Sequence, residues 1–365
     1  MVHEMLSHTV PKKLLEHFAY DEPHTRSKRL WRYEKGCRPY GRAAPKSATR
    51  WDGHFADPTD AANELVVETR LKREFEDPVN EFLDLMRYQT FPFTTTQVRF
   101  LSGYVTMLFN RSRARKAAST VHQQMIIDAV LALRNDDERM QQIAAKYTLD
   151  LMSSGLRRVV TTDEIKAAID QRVAEETAAD AAQRNYLHTM ETMMAFAQRQ
   201  TQQAEYRIIP ATPDHPFVIG DAPVVTWERT DAGLNFGQGF ARPNVEAILP
   251  IFPTACLHIL PAVPRTRRVQ TPTTDEVNQA QAAFATQHCF TNVNSAQIDH
   301  ALQPSFGMLR IGIERVSPRP HRPGPTNVHP PHEPTTLPRT DPRRRLTNRP
   351  RAPPEKNKLS APPAW

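Results

Sequence analysis

The amino-acid sequence predicts an α+β chain: a large helical middle packed on a mixed or antiparallel sheet built from N- and C-terminal strands. Three observations carry this. Between about residues 60 and 204, apolar residues recur at three- and four-residue steps with few breaks. From Glu205 onward the pattern changes to short apolar runs interrupted by Pro, Gly and Asn. Ahead of both, "KRLWRYEKG" reads as a strand ending in a turn at Lys35 and Gly36. Strands at both ends of a helical block suit a chain whose ends share a sheet.

The elements follow in order. "HTVPKKLLEHFA" predicts a short helix, with Pro11 where a first turn tolerates it and Leu14, Leu15 and Phe18 on one face. A second strand is expected near Tyr40. In the middle, Leu65, Val66, Leu71 and Phe75, then Val79, Phe82, Leu83 and Met86, describe a helix that Pro78 kinks or divides. "TTTQVRFLSGYVTMLFNRSRARKAA" opens on capping threonines and is the most apolar helix, hence the central one. Two more helices are expected over about residues 120–134 and 136–152, and another starting at Thr162 with Asp163 and Glu164 in its first turn. "YRIIPA", "PFVIGDAPVVTWER", "VEAILPIFP" and "ACLHILPAV" then read as strands. Residues 274–288 return to helical spacing through Val277, Ala280 and Phe284, and "FGMLRIGIERV" closes as a strand.

With 365 residues, 39% of them apolar, the chain can fill a sizeable core. One globular domain is expected over residues 1–316, made of an N-terminal helix and strands (1–50), the helical block (60–204) and a strand-rich part (205–316). The net charge of +7 does not belong to that body. Residues 317–365 hold 10 Lys and Arg against 3 Asp and Glu, which accounts for the whole surplus. The same stretch carries 14 of the 32 prolines and few large aliphatics, so it is predicted to be a disordered tail. Its basic runs, such as Arg343 to Arg345, would touch nucleic acid non-specifically, or simply keep the chain soluble. "HPPH" at His329 to His332 lies in the same tail and is not preorganised for a metal.

Cys37, Cys256 and Cys289 are far apart, with no C-x-x-C pair, which suits a reducing compartment and argues against a structural zinc. A cytoplasmic location is expected. The start of the chain has no apolar leader, and no window reaches the roughly 18 apolar residues of a membrane span, so no membrane association is expected. Common nucleotide loops, zinc-protease helices and nucleophile elbows are absent as motifs.

"HTVPKKLLEHFA", "LFNRSRAR", "FVIGDAPVV" and "ILPIFPTACLHIL" occur in that order. Together they resemble the bacterial and fungal family catalogued as domain of unknown function 4238. Its pattern is His-x-x-Pro-x-x-x-Leu-x-x-Phe, an Arg-rich helix end, a Ser/Gly-Asp-x-Pro turn and a strand with Leu-Pro-x-x-Pro. The resemblance covers about residues 5–316 and maps His8, Pro11, Leu15 and Phe18, then Asp221 and Pro223, then Pro250 and Pro253, onto those motifs. Where the pattern has Arg-Thr-Pro-x-x-Arg, this chain has Arg111, Ser112, Arg113, Ala114 and Arg115 without the proline. Glu64, Glu68, Glu74 and Glu76 all fit the acidic helix position. The resemblance implies a fold group and a candidate site, and no established activity.

Each motif residue has a functional and a structural reading. His8 precedes a helix N-terminus, where a neutral imidazole would act as a base or bind an anion, or would simply order the start of the helix. Asp221 either holds the turn from Gly220 to Pro223 by an Asx-type bond, with Gly supplying unusual dihedrals, or faces a cleft. In a cleft it could ligate a metal, orient an imidazole or pair an arginine. Arg111, Arg113 and Arg115 complement the dipole of their helix, or Arg111 and Arg115, one turn apart, grip a phosphate or carboxylate.

The leading expectation joins these into one polar cleft. His8, Asp221 and Glu68 would be catalytic, and Arg111 and Arg115 would bind substrate, in a hydrolase acting on a phosphate-containing substrate, nuclease- or phosphodiesterase-like. The cofactor is open, and a divalent metal is compatible with such a site. The alternative is a non-enzymatic binding or interaction protein whose basic tail contacts nucleic acid or a partner.

Overall fold

In the computed structural model, described residues are 6–36, 41–52, 66–86, 92–230, 233–237, 239, 240, 242, 244–261 and 270–307. They belong to one unit, Met1–Glu314. The tail from residue 317, Cys37, Tyr40, Glu64 and the closing strand expected after Phe306 lie outside the described residues.

The N-terminal part begins with β1 (Leu6–His8), α1 (Lys12–His17), β2 (Tyr20–Asp21), β3 (Lys28–Glu34), β4 (Gly41–Ala43) and β5 (Arg50–Asp52). Pro11 caps α1, and Leu14, Leu15 and Phe18 are fully buried, as their spacing predicts. Antiparallel to β5, β1 ends on His8.

The helical block runs through α2 (Val66–Leu71), a π-helical turn (Lys72–Glu76) and α3 (Asp77–Met86), then α4 (Thr95–Arg111) and α5 (Arg113–Arg134). α6 (Asp137–Ser153), α7 (Thr162–Thr177) and α8 (Ala181–Gln202) complete it. Pro78 does not break the first helix. Lacking an N–H and crowding the carbonyl four residues back, it is accommodated by the wider turn before it, where the Asp77 N–H reaches the Lys72 carbonyl, five residues back.

α4 is the central helix, buried along every position from Leu101 to Arg111. Thr94 caps it, as the threonine run predicts, and the structure adds a reciprocal box with Gln97. The helix ends earlier than its apolar pattern suggests. Ser112 leaves helical geometry, and its hydroxyl accepts the Arg115 N–H at 3.3 Å, which starts α5. The Thr-Pro of the pattern that the chain resembles would occupy this cap and the first helical position, a preferred combination at helix starts. α5 then runs unbroken to Arg134, where two helices separated near residue 119 had been expected.

The C-terminal part holds β6 (Glu205–Pro210), β7 (Ile219–Gly220), β8 (Val225–Thr230), β9 (Gly233–Phe236), β10 (Val245–Phe252) and β11 (Ala255–Leu260). It ends in α9 (Thr274–Phe284), β12 (His288–Thr291) and α10 (Ala296–Leu302). Besides the β1–β5 pair, the described residues hold two five-stranded antiparallel sheets, and one of them meets the sheet expectation. β7, β12 and β3 pair in sequence, with β2 and β4 also on β3, so the chain ends do share a sheet. The other, ordered β6-β11-β10-β8-β9, is wholly C-terminal. Its β10 and β11 are buried at every residue, which explains their unbroken apolar runs. One charge lies inside. The Glu246 carboxylate accepts from Trp227 Nε1 at 3.1 Å and Arg229 Nε at 3.1 Å, and lies 2.9 Å from His258 Nε2. That cluster ties three strands, and Arg229 also donates to the Gln270 carbonyl at 3.2 Å.

Candidate functional site

The π-turn determines where the acidic residues point. Eight residues along an α-helix rotate a side chain by about 80° relative to the first. A turn that absorbs one extra residue reduces this to about 20°. Glu68 and Glu76 therefore lie on one face, and both bind the guanidinium of Arg111, Glu68 through Nη2 and Glu76 through Nη1. Gly103 on α4 permits the close approach, because a Cβ there would lie 2.9 Å from the Phe75 ring. The Arg111 side chain is 1% exposed, and its charge is met by two carboxylates.

Glu68 Oε2 and the Tyr104 hydroxyl are buried polar atoms of this cluster with no hydrogen-bond partner among the described residues. Burial raises the Glu68 carboxyl above its ordinary range, against the opposing charge of Arg111 and with the Glu76 charge adding to the rise. Burial, and then the Glu76 charge, also keep the Tyr104 phenol protonated far into the alkaline range. His8 is near enough for its charge to act on Glu68. Its Nε2 lies 2.8 Å from the Lys46 carbonyl, so in the neutral ring Nε2 carries the proton and Nδ1 the lone pair. The helix amides that the sequence suggested as its partners are not what holds it.

Asp221 has a different setting. Its carboxylate accepts the backbone N–H groups of Thr286, Gln287 and His288 at 2.7, 2.8 and 3.3 Å, and its own N–H donates to the His288 carbonyl at 3.0 Å. It clips the link between α9 and β12, some 65 residues further on, rather than its own turn. Burial raises its carboxyl, opposed by those three donors and by Arg113. Gly220 serves close approach and not an unusual dihedral: a Cβ would meet the Gln281 carbonyl at 3.0 Å, and the Gly220 N–H donates to Gln281 Oε1 at 2.8 Å. Arg113 donates to Gln287 at 2.6 Å, on the same loop as Asp221.

The residues expected to share one cleft are thus engaged with different partners among the described residues: Glu68 and Glu76 with Arg111, and Asp221 and Arg113 with the loop between α9 and β12. Arg111 and Arg115 do not share a helix face, because the chain breaks between them at Ser112. Arg115 instead lies over the Phe109 ring, 4.6 Å from its centroid.

Residues 7–301 match the family model described as Protein of unknown function (DUF4238). The chain belongs to this family. No curated protein and no solved structure matches it. In this DUF4238 chain the matched motifs sit where the fold needs them: Leu15 and Phe18 fill the core, and the Pro253 carbonyl accepts the Phe217 N–H at 2.7 Å. Among the described residues, no group of three His, Cys, Asp or Glu side chains is arranged to hold a metal ion, and no helix is long and apolar enough to cross a membrane. Sequence reasoning missed Tyr104, whose only signal was a hydroxyl inside the most apolar helix.

Proposed function

We propose that this DUF4238 chain is a hydrolase whose proton-transfer pair is Glu68 and His8. The observation that supports the reading is Glu68 itself. One oxygen is anchored on Arg111, the other is buried without a described partner, and the carboxyl is shifted toward neutrality. Arg111 and Glu76 act as positioning residues, because Arg111 holds Glu68 and Glu76 holds Arg111. His8, with Nδ1 as its free nitrogen, supplies the second proton-transfer group. Asp221 takes no part in this chemistry, since its lone pairs are given to backbone donors.

The charge of the cluster bears on the substrate. With two acidic side chains around its one guanidinium, the cluster offers no surplus positive charge to a bare phosphate. An uncharged ester, amide or glycosidic bond suits the site directly, whereas a phosphodiester would need a divalent cation alongside it. The basic segment 317–365 is proposed as a separate, non-specific nucleic-acid contact resting on its composition.

A panel of chromogenic esters, amides, glycosides and phosphodiesters, with and without Mg²⁺ or Mn²⁺, tests the reading. Turnover is expected for one class, with Glu68→Gln and His8→Ala each lowering kcat by roughly 10²–10⁴-fold. The chain lacking 317–365 should keep that turnover and lose salt-sensitive DNA binding. No turnover in any class, or full turnover in Glu68→Gln, would refute the assignment.

A further inference from the structure

A cavity of about 610 Å³ opens between α5, α7 and α8, apart from the Glu68 cluster. Its volume lies in the range of small-molecule sites. Ile126, Ile127, Val130, Val173, Met190 and Met193 make its walls, the lining also carries the bonded polar group of Gln123, Arg172 and Glu176, and Arg115 lies at the end where α5 begins. There Arg115 stacks on Phe109, and the Tyr186 hydroxyl donates to the Asn110 carbonyl at 3.0 Å.

The charges in the cavity are not equally engaged. The Glu176 carboxylate binds Arg172 and Asn185, and accepts from Gln123 at 3.2 Å. The Arg115 guanidinium has no carboxylate or carbonyl partner among the described residues. Among the described residues, it is the backbone N–H of Arg115 that is bonded, to Ser112. A half-buried guanidinium at the end of a largely apolar cavity is a fork without its matching anion. Burial accordingly lowers the Arg115 pKa, with only the Tyr186 ring group opposing it.

We propose that this cavity binds an amphipathic monoanion, its carboxylate received by Arg115 and its apolar body lying against Ile126, Ile127, Val173 and Met190. A hydrocarbon chain gains from those walls, and a bidentate carboxylate supplies what the guanidinium lacks. The ligand class follows from these two contacts together: an uncharged hydrocarbon would leave Arg115 unpaired, and a small anion would leave the walls bare.

Calorimetric titration of the full chain with decanoate, below its micelle concentration, and with decanol tests this. Decanoate is expected to bind at one site and more tightly than decanol. Arg115→Gln should weaken decanoate roughly ten- to hundredfold while leaving decanol unchanged. Ile126 is half exposed at the mouth, so Ile126→Trp should block both ligands without disturbing the fold, and it carries the test should Arg115→Gln fail to fold. Equal affinity for decanoate and decanol, decanoate binding that survives Arg115→Gln or Ile126→Trp, or no decanoate binding would each overturn the proposal.

Discussion

Replacing Arg111 with Met is expected to destabilise the protein by about 3–5 kcal/mol at neutral pH, the cost typical of stranding buried charge. The guanidinium is the cation that Glu68 and Glu76 share, and it lies at the end of the central helix. Met fills the stem volume but leaves the two carboxylates facing each other. The pH dependence has a definite sign. Glu68 already titrates above its ordinary value because of burial, and Arg111 is the main charge opposing that rise. Without Arg111 its folded-state pKa climbs further above the unfolded value. The stability tied to a raised carboxyl is fully present below the unfolded pKa and is lost as pH rises through the folded one. The deficit of Arg111→Met should therefore shrink between pH 7 and about pH 4.5. Urea midpoints at both values measure it, and a deficit under about 1 kcal/mol at pH 7 would mean that Arg111 is not the anchor of the cluster.

Asp221→Ala should cost a comparable amount, roughly 3–5 kcal/mol, for a different reason. Three partly buried N–H groups lose their acceptor at once, and each donor left unsatisfied costs up to about 1–3 kcal/mol, which solvent and relaxation partly relieve. The loop between α9 and β12 would loosen, and with it the pairing of β12 to β7 and β3. A catalytic aspartate would give the opposite pattern, with stability retained and turnover lost. Chemical denaturation beside an activity assay of Asp221→Ala distinguishes the two.

What could be read in advance follows from the range of each signal. α4 was legible because its eleven consecutive buried positions leave a dense apolar pattern in the sequence. β10 and β11 were legible because burial on both faces leaves largely apolar runs between turns, whereas β9 was not read from the sequence. β12 was missed because its four residues follow a helix whose spacing runs on into them. Asp221 was recognised as unusual, but its partners are some 65 residues away and no local pattern names them. Glu68 and Glu76 were both on the candidate list, yet their eight-residue spacing looks wrong until Pro78 and the π-turn are taken together. Arg111 and Arg115 were assigned one face because a single serine, which ends one helix and caps the next, carries too little contrast to interrupt an apolar periodicity.

The central claim is that Glu68 is a perturbed carboxyl poised beside His8. Its most direct test is the titration of glutamate side-chain carboxyls by carbon-detected NMR in the wild type, Glu68→Gln and His8→Ala. The account predicts a resonance titrating above the ordinary value of 4.5 that disappears in Glu68→Gln and moves further upward in His8→Ala. A wild-type spectrum in which no glutamate titrates above 4.5, or a raised resonance that persists in Glu68→Gln, would contradict it.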